Sequence, residues 1–231
     1  MLLSPEEWQA LRLSLKVAAV ATVCALPLAL AVAWALARGR FAGKTLLDSL
    51  VHLPLVLPPV VVGYLLLLSV GRRSVLGGWL ESTFGLVFSF RWTGAALACA
   101  VMGFPLMVRA IRLSIESVDP RLERAAATLG ATPLKAFLTV TLPLALPGVM
   151  AGAVLCFAKA LGEFGATITF VSNIPGETQT LPSAIYSATQ TPDGDAVALR
   201  LTLVCIVISV AALAVSEWLA RRVRHRVSGV E

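Results

Sequence analysis

The sequence predicts an all-α, polytopic membrane protein of about five transmembrane helices. Three observations carry that fold class. The 231 residues are 58% hydrophobic and only 14% charged, whereas a soluble domain of this length carries about 25% charged residues. The mean hydropathy is +0.85, and so much apolar surface is satisfied only where lipid is the solvent. The apolar residues also gather into uncharged runs over 17–37, 49–71, 92–108, 136–158 and 201–216, each close to the roughly 20 residues a crossing helix needs.

Each run has its own character. The opening MLLSPEEWQA is acidic and polar. It lacks the basic stretch of a cleavable signal peptide, so the first run is expected to act as its own insertion signal. The second run contains Pro54, Pro58, Pro59 and Gly63, and the third Gly103 and Pro105. The fourth and its extension contain Pro143, Pro147, Gly148, Gly152, Gly162 and Gly165. Backbone groups freed by such residues must find partners within the protein, and small residues let helices approach closely. The second and fourth helices are therefore expected in the bundle interior. Cys24, Cys99, Cys156 and Cys205 each sit in an apolar run without metal-ligand spacing, so they read as packing residues.

Five crossings put the termini on opposite sides. With the C-terminus inside, the inner segments hold Arg38, Arg40, Lys44, Arg109, Arg112, Arg121, Arg124, Lys135, Arg221, Arg222, Arg224 and Arg226. The outer ones hold only Arg12, Lys16, Arg72, Arg73, Arg91 and Arg200. The excess of Lys and Arg favours N-terminus outside and C-terminus cytoplasmic. The same rule accounts for the net charge of +6 without a nucleic-acid partner.

The stretch Glu123–Pro143, ERAAATLGATPLKAFLTVTLP, is the longest that is neither fully apolar nor a simple loop. Asp119-Pro120 reads as a helix start, with Asp as N-cap and Pro at the first helical position. Leu122, Ala125, Ala126 and Leu129 then form one apolar face. Gly130 stands where helices end in a left-handed residue. Thr132-Pro133 restarts a helix whose apolar residues are Leu134, Phe137 and Leu138, and Leu142-Pro143 leads into the fourth run. Two short amphipathic helices around a glycine bend either cover their own bundle or fill a groove on a soluble partner.

This stretch resembles the coupling loop of type I ABC-transporter permeases. Ala125-Ala126, Gly130 and Val140-Thr141-Leu142-Pro143 stand at that family's spacing. The family's usual Glu position is Arg124, and the acid is Glu123 instead. The resemblance implies the type I ABC importer permease fold over a single domain, 1–231 with its core at about 12–219, and a cytoplasmic coupling loop at about 110–143. It also implies a homodimer driven by two ATPase subunits. Glu123, Ala125, Ala126, Leu129, Gly130, Leu134, Phe137, Leu142 and Pro143 are then the coupling residues. The sequence has no phosphate-binding G-x-x-x-x-G-K-[ST] loop, so ATP and Mg are expected on the partner and no cofactor or metal on this chain. Nor do His52 and His225, its only histidines, suggest a catalytic set. A non-catalytic permease is expected, in preference to a stand-alone channel or an intramembrane enzyme.

Lys159 and Glu163 stand four residues apart in the fourth run. Ionisable groups at membrane depth face the interior and pair or line a pathway, so they read as a structural pair or as a gate. Leu161–Ala166 is similar to the oxyanion permeases for sulfate, molybdate and tungstate. His52–Arg73 and Thr167–Tyr186 are similar to the molybdate permeases in particular. That resemblance implies molybdate as cargo, with tungstate or sulfate as the alternative. It also implies an extracytoplasmic binding protein and the bacterial inner membrane. Thr167 and Thr169, with Ser172, Asn173, Arg72 and Arg73 behind them, are the candidate donors along the path.

Overall fold

The structure, a computed structural model, describes residues 3–228. Among these every regular element is a helix. The core is three long helices: α1 (Pro5–Arg38), α5 (Trp92–Ser117) and α8 (Leu142–Leu161). Between the first two run α2 (Lys44–Val56), α3 (Pro59–Val70) and α4 (Val75–Phe84). After α5 come α6 (Pro120–Thr128) and α7 (Pro133–Ala136). A π-helical turn, Phe137–Thr141, joins α7 directly to α8. The chain continues through α9 (Gly165–Val171), α10 (Leu181–Thr189) and α11 (Asp195–Ser228).

α1 begins at a capping box, in which Ser4 and Glu7 satisfy each other's backbone N–H groups. Its buried side is a stripe of small residues, Ala18, Ala21, Ala25, Ala29 and Ala33, which lets α5 and α8 lie close. Between α5 and α8 the approach is closer still. A Cβ placed on Gly148 would stand 2.1 Å from Ser114 Cβ, so glycine is required there. Met107, Val108, Ile111 and Ile115 of α5 are fully buried against this seam.

Four helical segments among the described residues are long and apolar enough to cross a membrane: Pro5–Arg38, Trp92–Ser117, Pro133–Leu161 and Asp195–Ala212. The second apolar run is different. It breaks at Leu57-Pro58 into α2 and α3, bent by 116°. Leu57 and Pro58 each precede a proline and are held extended. Counting the pair as one broken span restores five. The pair buries only Val51, Val62 and Gly63, which corrects the expectation of an interior helix. Prolines mark where a backbone breaks, but in lipid they do not say which side faces protein. The most enclosed span is α5.

The two ends of the bundle are tied differently. At one end, Arg112 of α5 reaches Asp48 of α2 (3.1 Å) and Glu116 (2.8 Å). At the other, Arg200 of α11 donates through Nε to Glu7 of α1 (3.0 Å). There Ser14 Oγ accepts the Leu181 N–H (2.7 Å), and the Lys16 ammonium lies 3.5 Å from the Trp92 ring centre. α6 and α7 belong to the first end, and the α8–α9 corner lies toward the second.

Candidate coupling surface and translocation path

Local chemistry builds the candidate coupling surface. Asp119 accepts the Arg121 N–H (2.9 Å) as N-cap of α6, and Pro120 occupies the first turn. The helix ends in a Schellman motif: Ala131 N–H reaches Ala126 O and Gly130 N–H reaches Ala127 O, both at 3.0 Å. Gly130 takes φ +84° with open space around its Cα. Thr132 then caps α7 through the Lys135 N–H (3.3 Å). Instead of a second free-standing helix, α7 is the first turn of a continuous rod running through the π turn into α8.

The structure divides the sequence-derived coupling residues into two sets. Leu129 and Leu134 are 89% and 61% exposed. Ala125, Gly130 and Pro143 are also exposed and Ala126 is half-buried; Leu122 and Leu138 add to the exposed apolar surface. Glu123, Phe137 and Leu142 turn toward the bundle. The Phe137 ring lies 5.4 Å from that of Trp34 on α1, and Leu142 packs on the core beside Ile111 and Ile115. Glu123 Oε1 accepts from Arg38 Nε at the end of α1 (3.0 Å) and from Thr141 Oγ1 in the π turn (2.7 Å). Arg124 points outward. Nothing in the sequence pattern points to Arg38 or Thr141 in this cluster: Arg38 is 85 positions from Glu123.

At the α8–α9 corner Lys159 and Glu163 meet, Nζ to Oε2 at 2.7 Å. The Glu163 side chain is 1% exposed and that of Lys159 31%. Glu163 Oε1 also accepts the Ala166 N–H (3.0 Å), so one carboxylate holds the last turn of α8 to the first turn of α9. Thr167 Oγ1 donates to Phe164 O and Thr169 Oγ1 to Gly165 O, both at 2.9 Å. Asn173 donates to Ser187 Oγ (2.6 Å), and Arg72 is engaged by Glu81 (2.9 and 3.0 Å). Ser172 is exposed. Arg73 lines a recess of about 750 Å³ with Arg72, Arg91 and Ser89, and the threonines of α9 are not part of its lining.

A family model described as binding-protein-dependent transport system inner membrane component matches residues 25–225. The chain belongs to that family. Its members are transport permeases of the inner membrane, and ATP hydrolysis is the work of a separate subunit. The chain is 59% identical to the molybdenum transport system permease protein ModB of Escherichia coli K12, over 98% of this chain and 99% of that protein. The ModB of Haemophilus influenzae is 56% identical over 95% of this chain and 96% of that protein. The sulfate transport permease CysT of E. coli K12 is 35% identical over 98% and 81%. Among solved structures, a bacterial ABC transporter for alginate import matches with TM-score 0.75 at 17% identity, covering 95% of this chain and 80% of that one. The methionine ABC transporter MetNI matches with TM-score 0.69 at 15% identity, covering 94% of each. The fold is that of the ABC importer permeases.

Proposed function

We propose that this chain is the membrane permease of a molybdate importer, working as two copies with two ATPase subunits and an extracytoplasmic molybdate-binding protein. The observation that carries the cargo is the 59% identity to ModB across nearly the whole of both chains, well above the 35% to the sulfate permease. The exposed leucines and alanines of α6 and α7 are the surface that docks in an ATPase groove. That end is cytoplasmic and the N-terminus lies outside, as the Lys and Arg distribution favours. ATP and Mg belong to the partner.

The geometry suggests how work reaches the path. α7, the π turn and α8 form one rod, so displacement of Leu134 is delivered along it to the Lys159–Glu163 corner. That corner holds α9 in register with α8 through one buried carboxylate, and we assign the pair a structural role there. Reconstitution with the ATPase and the binding protein tests the reading. Labelled molybdate should enter vesicles only with ATP and binding protein, and excess sulfate should not compete. Sulfate uptake with no molybdate uptake would overturn the cargo assignment, and a parallel tungstate arm distinguishes the remaining oxyanion.

A further inference from the structure

α6 has no buried residue among its nine. With only Glu123 and Ala126 half-buried and the rest exposed, α6 has little apolar packing through which to pass a push to its bundle, so its firmest attachment must lie elsewhere. Among the described residues, the side-chain hydrogen bonds that tie it to other helices all fall on one residue. Glu123 Oε1 accepts from Arg38 Nε (3.0 Å) and from Thr141 Oγ1 (2.7 Å). Arg38 fixes the same place from the other side, donating through Nη2 to Val118 O (2.7 Å) just before α6 begins. The ion pair is largely shielded, with side chains 19% and 24% exposed, and Thr141 is fully buried. Hydrogen bonds with ionised partners in such surroundings are the strong ones.

We propose that Glu123 is the positioning residue through which movement of the coupling helix is transmitted, and that it does not contact the ATPase. Its carboxylate joins three things: α6, the last residue of α1 and the last residue of the π turn. A π turn is an extra residue held in a helix, a common site of functional rearrangement. A pull on α6 is thus divided between the end of α1 and the start of the α8 rod. Outward-facing Arg124 takes no part in this junction. The inference rests on the coupling-surface reading above.

The test uses the reconstituted assembly and reads two quantities separately: capture of the ATPase subunit, and molybdate moved per ATP hydrolysed. Glu123→Gln should capture the ATPase as the unaltered chain does, while the transport ratio falls about tenfold, within the usual range of coupling between sites. Arg38→Gln should do the same. The double variant should lose less than the sum of the two single losses, because the ion pair is shared between them, while Arg38 also holds Val118 O and Glu123 also holds Thr141. Thr141→Val should lower the ratio with the ion pair intact, and Thr141→Ser should restore it, which keeps the test open should Glu123→Gln fold poorly. An unchanged ratio in Glu123→Gln and Thr141→Val overturns the proposal. So do additive losses in the double variant, or loss of ATPase capture by a folded Glu123→Gln protein. Failure of the unaltered chain to capture an ATPase would instead sink the coupling-surface reading, and the transmission role with it.

Discussion

Gly130 and Glu163 are single residues whose surroundings forecast opposite kinds of failure. Gly130 is left-handed, with nothing near its Cα. Gly130→Ala should therefore cost about 1 kcal/mol of backbone strain and leave ATPase capture intact. Gly130→Asp should fold and insert, since short polar residues tolerate that conformation, yet lose capture because a charge enters an apolar surface. Pull-down beside thermal melting separates the two. At the α8–α9 corner the asymmetry lies between partners. Glu163→Gln keeps an acceptor for the Ala166 N–H and should cost about 1–2 kcal/mol. Lys159→Met strands a buried carboxylate and should cost about 3–5 kcal/mol. Denaturation in detergent checks the order, and a milder effect of Lys159→Met would contradict the capping role of Glu163.

At the scale of elements, the π turn sets the direction in which the proposed coupling surface faces. Removing Thr139, which is exposed, should convert Phe137–Thr141 to regular helix. The segment before it would then rotate by about 100°, one residue's share of a turn. Leu134 would leave its present face and Thr141 would lose register with Glu123. We expect loss of ATPase capture with the α5–α8 seam intact, measured by pull-down and by melting. A fully active deletion would show the π turn to be incidental. The sequence foretold the caps at Asp119 and Thr132 and the reversal at Gly130 because these are local chemistry. It did not foretell the π turn, which has no residue signature, or the tie from Arg38, which depends on how two distant segments come together. It marked Pro54, Pro58, Pro59 and Gly63 as helix-unfriendly without singling out where the run breaks, and it did not foretell the exposure of α2 and α3, which depends on what surrounds the chain.

For the whole molecule, the apolar runs made the fold legible because a bilayer demands long, uncharged helices. The spans differ in how the chain itself encloses them: α5 is largely sheathed, whereas α2 and α3 present Val56, Val60, Leu65 and Leu68 outward. We expect reporter fusions at Pro175 and at the C-terminus to fall on opposite sides of the membrane, the first outside. Signals from the same side would refute an odd number of crossings.

The hydroxyls of α9 have a consequence for speed. Thr167 and Thr169 are committed to carbonyls of their own helix, and the neighbouring carboxylate is spent on a lysine and a backbone amide. On the import path proposed above, a dianion passing α9 would meet few free donors and no deep energy well, and its dwell time there would be short. Such a conduit would be slippery by construction. In the proposed importer, discrimination among oxyanions would then fall to the protein that hands the solute over, and throughput to the pace of the motor.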